Sequence, residues 1–298
     1  MPDLSIVITT RNRFTCLLKC LESIRNSDLD SFAYEVVVID DASSDATKDL
    51  SRDGVCVIHN SEQLMMVKSR NKGIEKTTGT YIVFIDDDNV VAPSMIKNLV
   101  SFASSNTNYG IVGPCMYYAS SKTKYLDFQT FNFYTGKTTG RVDTSDNPVC
   151  KSHGIPNVFL IKRTVFDQCG HFDASLIQTF TEPDYSFRAA SHGFKCGIVK
   201  NAKTFHAISP EDNLSPRALG GMYKQKAYCL MRNRTLLVKR YGTPVQKFIY
   251  ITCFSWLWPL IYSLLIYRTK RYDLIALYWR GFKDGMIYFF TGKLTSSI

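Results

Sequence analysis

The chain of 298 residues is 45% hydrophobic and 21% charged, so it can fold around one large core or two smaller ones, and a disordered chain is excluded. Its net charge of +10 would suit a nucleic-acid-binding protein, but residues 217–298 hold 14 Lys/Arg against 2 Asp/Glu, a net charge of +12, which leaves residues 1–216 at −2. Nine cysteines without a C-x-x-C pair indicate a reducing compartment rather than a disulfide framework.

Four short β-branched segments in the first ninety residues are predicted to be strands. They are residues 4–9, 35–40, 55–58 and 80–86. Helix-spaced apolar residues follow the first strand in FTCLLKCLESIRN and the third in EQLMMVKSRNKGIEKTT. This alternation predicts an α/β fold in which helices cover both faces of a mostly parallel central sheet. The apolar run before Arg11 is too short for a signal peptide, so we expect this part of the chain in the cytoplasm.

Three of these strands end in polar residues: TTRN at 9–12, Asp40–Asp41 and Asp86–Asp88. Ligands of open α/β sheets bind beyond the carboxyl ends of the strands, so the three clusters are predicted to line one site. Three adjacent carboxylates repel one another, so we expect a cation or a cationic substrate at this place to offset the repulsion. The alternatives are an Asp-rich loop that caps the next helix and, for VVVIDDASSDAT, a turn with a helix N-cap.

The pattern loosens after about residue 110. Residues 115–155 are rich in Thr, Ser, Tyr, Lys and Gly with little periodicity, and we predict a long irregular excursion over the site. Regular structure is predicted to resume in NVFLIKRTVFDQCGHFD and in EPDYSFRAASHGFKCGIV, where a helix ends at Gly193 and a strand follows.

Five motifs, taken in their order and spacing, resemble those of the inverting family 2 glycosyltransferases over about residues 4–240. They are SIVITTRNR, VVVIDDASSDAT, SRNKGIEKTTGTYIVFIDDDNVVAP, FLIKRTVFDQCGHFD and EPDYSFRAASHGF. The segment YCLMRNRTLLVKRY looks like a helix of the members that transfer rhamnose or similar sugars. The resemblance implies a GT-A catalytic domain over residues 1–216, with a nucleotide-binding half over about 1–110 and an acceptor-binding half over about 111–216.

The resemblance also implies a nucleotide and metal site. Asp41 would pair with the nucleotide base, and the remaining nucleotide-binding residues would be Thr9, Arg11, Arg70 and Asp87. The outer residues of the DXD motif, Asp86 and Asp88, would bind Mn²⁺ or Mg²⁺ together with His206. For His206 a purely structural role stays open.

The catalytic pair implied by the resemblance is Glu182 and Asp184. Glu182 stands where the family more often has Asp and would act as the general base on the acceptor hydroxyl. Asp184 would start the helix and pair with Arg188 one turn later. The alternative for Glu182 is an ordinary first-turn glutamate that the helix dipole favours.

Residues 217–298 are predicted to form a basic helical region that associates with a membrane. Residues 248–267 carry no charge and could span a hydrocarbon core of about 30 Å, but Pro259 and basic residues on both flanks favour a bent, re-entrant or interfacial hairpin. An amphipathic helix is predicted over 272–290, with an apolar face of Ile275, Tyr278, Phe282, Met286 and Phe289 opposite Asp273, Arg280 and Asp284. The alternative is a soluble helix pair packed on the catalytic domain or across a homodimer.

These features predict a metal-dependent, inverting glycosyltransferase that takes a UDP, dTDP or GDP sugar and acts on a lipid-linked or polysaccharide acceptor at the cytoplasmic membrane face, with no nucleic-acid partner. One alternative is a polyisoprenyl-phosphate glycosyltransferase. A second, a nucleotidylyltransferase, is disfavoured because SIVITTRNRFT lacks the expected glycines. A third, a non-catalytic basic protein for anionic lipid or nucleic acid, explains the charge but not the carboxylate clusters. The donor sugar and the acceptor stay open.

Overall fold

The computed structural model describes residues 2–208, 224–267 and 270–295. The chain forms two compact units. The first comprises Met1–Thr130, Gly140–Ala174 and Tyr185–Ile208, and the second comprises Phe131–Thr139, Ser175–Asp184 and Ser209–Ile298. The boundary predicted between residues 216 and 217 falls outside the described residues. Two short earlier segments group with the C-terminal region, which a boundary drawn along the sequence does not anticipate.

Twelve strands occur in the described part of the chain. In chain order they are β1 (Leu4–Thr10), β2 (Tyr34–Asp40), β3 (Val55–His59), β4 (Tyr81–Asp86), β5 (Asn89–Val91), β6 (Tyr109–Tyr118), β7 (Lys124–Leu126), β8 (Phe128–Asn132), β9 (Lys137–Arg141), β10 (Val149–Lys151), β11 (Val158–Lys162) and β12 (Lys195–His206). All but the β8–β9 hairpin form a mixed sheet of order β10-β12-β6-β11-β4-β1-β2-β3, with β5 beside β12 and β7 beside β6. The four predicted strands are confirmed as β1–β4, which pair in parallel as β4-β1-β2-β3.

Helices pack on both faces of this sheet. They are α1 (Phe14–Arg25), α2 (Met65–Glu75), α3 (Met95–Ser105), α4 (Arg163–Cys169) and α5 (Thr181–Ser191). Because side chains alternate along a strand, Ile6 and Ile8 of β1 enter one core with α1 and α3, whereas Val7 enters the opposite core with α2 and α4. The predicted α/β sandwich is confirmed. Its sheet is parallel in one half and has antiparallel pairs in the other.

The prediction of an irregular excursion over 115–155 is wrong, because β7, β8, β9 and β10 lie within it. These strands are three to five residues long, and most of their side chains are exposed or half-buried, as in KTTGR of β9. Strands that bury so little apolar surface show no clear period of two in the sequence. Their pairing with β6 and β12, and of β8 with β9, determines their structure instead.

The second unit is helical. Its helices are α6 (Lys224–Tyr241), α7 (Pro244–Ile249), α8 (Leu257–Tyr267) and α9 (Asp273–Thr291), with a π-helical turn over Tyr250–Phe254. Helix α9 packs against α6 and buries Leu274 and Tyr278. Asp284, predicted on the exposed polar face of this helix, is buried and accepts a hydrogen bond from the Tyr228 hydroxyl at 2.7 Å. That part of the prediction is wrong, because the buried stripe of α9 runs through Gly281 and Gly285.

None of the helices in the described ranges is by itself long and apolar enough to cross a bilayer. The segments Pro244–Phe254 and Leu257–Tyr267 meet that criterion only together, and they are bent by 40° where they join. The bend predicted within the apolar stretch 248–267 is present, but it lies between Phe254 and Leu257 rather than at Pro259.

Gly281 allows the close approach of α9 and α6, and its replacement should destabilise the second unit. A Cβ atom added there would overlap the backbone carbonyl oxygen of Tyr228, which cannot rotate away as a side chain would. We expect Gly281→Ala to lower the free energy of unfolding by about 1–3 kcal/mol in urea titrations. Ala276→Leu, at an exposed position of the same helix, should stay within about 0.5 kcal/mol. A Gly281→Ala protein more stable than wild type, as helix propensity alone predicts, would contradict the packing.

Candidate functional site

The polar ends of β1, β2 and β4 lie side by side in the first unit. The strand register places Thr9 beside both Ile39 and Asp86, and Thr10 beside Asp40. The amide of Asp41 donates to the Thr10 carbonyl at 2.9 Å, which continues this alignment one residue past β2. The predicted convergence of the polar clusters at one edge of the sheet is confirmed.

Arg13 offsets the repulsion between the neighbouring carboxylates that follow β4. Its Nη1 lies 2.8 Å from Asp87 Oδ1, and its Nη2 lies 2.9 Å from Asp88 Oδ2. The Thr10 hydroxyl donates to Asp87 Oδ2 at 2.7 Å. The sequence analysis selected Arg11 and missed Arg13. Arg13 lies in the short segment between β1 and α1, and its carboxylate partners are more than seventy positions away, so no local pattern in the sequence connects them.

The two carboxylates that share Arg13 differ in their pKa values. Burial raises the pKa of Asp87 to about 7, in spite of Arg13 and the Thr10 hydroxyl. Burial would also raise the pKa of Asp88, but His206 and Arg13 outweigh it and hold that pKa well below the usual range. The fixed negative charge of the pair is therefore on Asp88.

The predicted metal ligands do not form a cluster of three. Asp86 Oδ1 pairs with the buried Arg70 at 2.7 Å, whereas Asp88 Oδ2 lies 3.3 Å from His206 Nε2. No group of three or more His, Cys, Asp or Glu side chains arranged to hold a metal ion is found in residues 2–208, 224–267 and 270–295. Only two of the three predicted ligands, Asp88 and His206, are adjacent.

Asp88 and His206 nevertheless fit a divalent cation. Adjacent ligands of an octahedral ion are about 3 Å apart when each bond is about 2.1 Å, close to the separation of these two atoms. The neighbouring Asn89 Oδ1 is buried and, within the described residues, accepts no hydrogen bond. The carboxylate suits Mn²⁺ or Mg²⁺, and the imidazole beside it favours Mn²⁺ of the two, with further ligands left for a substrate.

The imidazole of His206 is oriented by two residues that the sequence analysis did not select. The Tyr125 hydroxyl lies 2.9 Å from His206 Nδ1, and Asn157 Nδ2 lies 3.1 Å from the same atom. Tyr125 lies on β7, inside the segment predicted to be irregular, so no sequence signal connected it with His206. Contacts of this kind fix the ring of a metal-binding histidine.

Asp41, the predicted base-reading residue, is buried and strongly hydrogen-bonded. Its carboxylate accepts hydrogen bonds from the amides of Leu64 and Met65 at the start of α2, and from the side chains of Asn60 and Ser69. Arg11 Nη1 donates to its backbone carbonyl at 3.1 Å. The base-reading role stays a prediction, as do the nucleotide-binding roles of Thr9, Arg11, Arg70 and Asp87.

Glu182 and Asp184 belong to the second unit, at the first turn of α5. Glu182 is partly exposed, whereas Asp184 is buried. The segment before them is held by α6, where Asn233 Nδ2 donates to the carbonyls of Leu176 and Thr179 at 2.7 and 2.8 Å. Helix α6 therefore fixes the approach of the chain to Glu182.

Asp184 pairs with α6. Its Oδ1 lies 2.8 Å from Arg240 Nη1 and accepts a hydrogen bond from the Tyr241 hydroxyl at 2.9 Å. The guanidinium of Arg188, the predicted partner, donates to backbone carbonyls of the first unit, Cys169 at 3.0 Å and His171 at 2.8 Å. The i, i+4 spacing of a helix pointed to Arg188 as the partner of Asp184. It could not point to Arg240, which lies more than fifty positions further along the chain.

A family model described as glycosyl transferase family 2 matches residues 5–170, more than half of the chain. YwdF of Bacillus subtilis, an uncharacterised glycosyltransferase, is 26% identical over 74% of this chain and 80% of its own length. EpsH of the same organism is 32% identical over 36% of this chain and 32% of its length. A Campylobacter jejuni enzyme that glucosylates GalNAc(5)-diNAcBac-PP-undecaprenol is 28% identical over 39% of each chain. The chain thus spans under two fifths of two of these relatives.

Solved structures share the fold. GalNAc-T7 with UDP, GalNAc and Mn²⁺ has a TM-score of 0.61 at 17% identity, over 92% of this chain and 59% of that one. Residues 1–349 of Staphylococcus aureus TarS with UDP-GlcNAc have a TM-score of 0.59 at 11% identity, over 98% and 92% of the two chains. At these identities the likeness shows the fold alone.

Proposed function

We propose that this chain, which belongs to glycosyl transferase family 2, transfers a sugar from a nucleoside-diphosphate sugar to a hydroxyl of its acceptor with inversion at the anomeric carbon. The observation that carries the proposal is the alignment of β1, β2 and β4 in a chain that matches the family model. At the edge where these strands end, it brings together Thr10, Arg13, Asp41 and the carboxylates after β4. The solved structures with UDP, UDP-GlcNAc and Mn²⁺ support a donor of this chemistry.

Asp88 and His206 would hold the divalent cation. When bound, Mn²⁺ or Mg²⁺ would offset the charge of the diphosphate leaving group. The chain's own residues prepare this place. Arg13 and Arg70 pair with the three neighbouring aspartates, and Asp88, which keeps its negative charge, is the carboxylate that lies beside His206. Tyr125 and Asn157 orient His206.

Glu182 would take the proton of the acceptor hydroxyl. An inverting transfer requires a base but no covalent sugar–enzyme intermediate, and a carboxylate suffices for this role. Its partial exposure suits a group that meets a substrate, whereas the buried and paired Asp184 suits one that positions the helix. This assignment rests on the position of Glu182 in the family motif.

The acceptor would be lipid-linked or a polysaccharide, and the protein would act at the cytoplasmic face of a membrane. Fourteen large apolar residues in the described ranges are exposed; three of them are Tyr34, Tyr134 and Val142, and the other eleven lie between Val245 and Leu294. So dense a set of exposed apolar residues is typical of a surface that contacts another phase or another molecule. Together with the net charge of +12 over residues 217–298, it favours an anionic membrane.

Removing exposed apolar side chains should release the protein from membranes. We expect the triple variant Phe248→Ser, Leu264→Ser, Phe290→Ser to lower the membrane-bound fraction in sedimentation roughly tenfold or more, because each residue would lose apolar burial in lipid. The melting temperature should not change, since all three are at least 63% exposed. Deleting residues 245–298 would be a poorer test, because it also removes α9 from α6.

Tyr34→Ser, Tyr134→Ser is the matched control, since both tyrosines are exposed but lie outside residues 245–294. This double variant should sediment with membranes as wild type does. Equal sedimentation of the triple variant and wild type would contradict the membrane proposal.

A donor panel tests the transfer itself. Full-length protein would be supplied with UDP, dTDP and GDP sugars, Mn²⁺ and a membrane extract as the source of acceptor, and release of nucleoside diphosphate would be followed. We expect one nucleotide class to be consumed, with the sugar recovered on the acceptor. Failure of every donor, with or without acceptor, would count against the proposed function.

A further inference from the structure

The polar residues at the centre of α6 have different environments. Arg232 donates from Nε to Asn233 Oδ1 at 2.9 Å and from Nη2 to the Ser175 carbonyl. Asn233 donates to the carbonyls of Leu176 and Thr179. Arg232 and Asn233 therefore hold α6 against the segment that contains Ser175, Leu176 and Thr179. Arg234, the next residue of α6, has a different environment.

Arg234 is buried without a hydrogen-bond partner. The residue is 4% exposed, and among the described residues its Nε and Nη1 atoms bond to nothing. Three acidic residues of this unit have other partners. Asp184 forms an ion pair with Arg240, Asp273 forms an ion pair with Arg271, and Asp284 accepts a hydrogen bond from Tyr228. A guanidinium cannot lose its charge, and within residues 2–208, 224–267 and 270–295 no ion pair joins Arg234 to a carboxylate, so its burial is costly unless another group offsets it.

Aromatic rings enclose this guanidinium. Its Cζ lies 3.9 Å from the centre of the Trp258 ring, 5.8 Å from that of Tyr262 and 5.9 Å from that of Phe180. Phe180 adopts φ +64°, a region that a bulky residue seldom occupies and that often occurs at functional sites. Stacking uses the flat face of a guanidinium and leaves its edge for hydrogen bonds; Nε and Nη1 at that edge are buried, and Nη2 is not among the buried atoms without a partner.

The stem and the stacking ring of Arg234 are held in place. A Cβ atom on Gly136, which has φ +68°, would lie 2.6 Å from Arg234 Cγ and 2.8 Å from Tyr250 Cε2, so only glycine fits there. The Trp258 indole donates to the Thr135 carbonyl at 2.6 Å. Tyr250 begins the π-helical turn, a feature that is frequent at functional sites, and its hydroxyl bonds to Thr235 at 2.9 Å. Such packing prepares a side chain for a ligand.

We propose that Arg234 is a binding site for a phosphate group of a lipid in the membrane, the phosphate that carries a lipid-linked acceptor. Arginine recognises phosphate through N–H donors and charge, both of which Arg234 has unused. We assign the phosphate to a lipid because of α8. This helix stacks Trp258 on Arg234 and exposes the apolar side chains of Leu260 and Leu264, which would contact lipid. This choice of source rests on the proposed function, whereas the phosphate chemistry rests on Arg234 alone.

Binding to vesicles tests the proposal without an activity assay. Full-length protein would be titrated with phosphatidylcholine vesicles that contain a long-chain isoprenyl phosphate. The comparison is with vesicles of the same charge that contain isoprenol and phosphatidylserine, because the basic C-terminal region binds any anionic surface. We expect roughly 10- to 100-fold tighter binding to the isoprenyl phosphate vesicles, the scale of a charge-assisted hydrogen bond.

Arg234→Met removes the charge and keeps a side chain of similar length. This variant should bind the two kinds of vesicle equally, and Arg234→Lys, which keeps the charge but loses the planar group, should retain only part of the preference. Arg280→Gln, at an exposed position on α9, should keep the full preference. Without vesicles, Arg234→Met should melt no lower than wild type, because an unpaired buried charge does not stabilise a fold.

Three results would overturn the proposal. They are equal binding of wild type to both vesicles, an undiminished preference in Arg234→Met, and a melting temperature of Arg234→Met several degrees below wild type that no phosphate lipid affects. The affinities of wild type and Arg234→Met for inorganic phosphate and for UDP show whether the bound phosphate belongs to a lipid, to free phosphate or to the nucleotide donor. If Arg234→Met lost affinity for UDP rather than for the lipid, the anion would be the donor's and the lipid assignment would be wrong. If Arg234→Met lost the preference for isoprenyl phosphate vesicles while neither wild type nor any variant transferred sugar, the proposed function would be refuted. The phosphate site at Arg234 would still stand.

Discussion

Asp88→Asn is expected to lower sugar transfer by roughly 10²–10³-fold and to weaken Mn²⁺ binding. Asp88 carries the fixed negative charge of the carboxylate cluster and faces both Arg13 and His206. A neutral amide keeps the shape of the side chain but cannot balance a divalent cation beside a diphosphate. Nucleoside diphosphate release measures the transfer, and calorimetric titration with Mn²⁺ measures the binding.

The matched control is Asp53→Asn, a carboxylate lost from an exposed position of the same unit. It should leave turnover and Mn²⁺ affinity unchanged. Excess chelator should reduce wild type to the level of Asp88→Asn. If Asp88→Asn retained full turnover and full Mn²⁺ affinity, Asp88 would have no role in holding the ion.

Glu182→Gln is expected to lower turnover by roughly 10²-fold or more while donor and Mn²⁺ binding persist. Glutamine is isosteric with glutamate but cannot accept a proton from the acceptor hydroxyl, so only the transfer step should fail. Steady-state rates with saturating donor, together with nucleotide binding measured by calorimetry, separate the two effects.

Asp184→Asn should behave differently although it lies two residues away. Asp184 is buried and pairs with Arg240 and Tyr241, but Arg240 is 21% exposed, so the loss of the carboxylate should destabilise the fold by about 1–3 kcal/mol, less than for a fully buried ion pair. The melting temperature should therefore fall in Asp184→Asn and stay constant in Glu182→Gln. If Glu182→Gln kept near-normal turnover, Glu182 would not be the general base, and another residue would have to take the proton.

Much of the first unit could be predicted because its signals are local. Strands β1, β2 and β4 are largely apolar runs that end in polar or charged residues, and buried parallel strands produce that pattern directly. The short strands from β7 to β10 could not be predicted, because they bury little apolar surface and so show no clear period of two in the sequence. The Gly281 contact is equally invisible in the sequence, since only the neighbouring helix explains the absence of a side chain there.

The same distinction applies to the candidate site. Asp86, Asp88 and His206 could be selected because residue type and position after a strand identify them. Their partners could not: Arg70 joins Asp86 across sixteen positions, and Tyr125 joins His206 across eighty-one. The metal-binding roles of Asp86, Asp88 and His206 stay predictions, and the arginines that pair with Asp86 and Asp88 were not expected from the sequence.

The configuration of the transferred sugar distinguishes an inverting transfer from a retaining one. Once the donor panel has identified a substrate, the anomeric configuration of the product of wild-type protein would be read from its one-bond carbon–hydrogen coupling by NMR. The account predicts one sugar transferred to an acceptor hydroxyl per nucleoside diphosphate released, with a configuration opposite to that of the donor, and no product above background with Glu182→Gln on the same time scale. A product that retains the donor's configuration would contradict a single displacement assisted by Glu182.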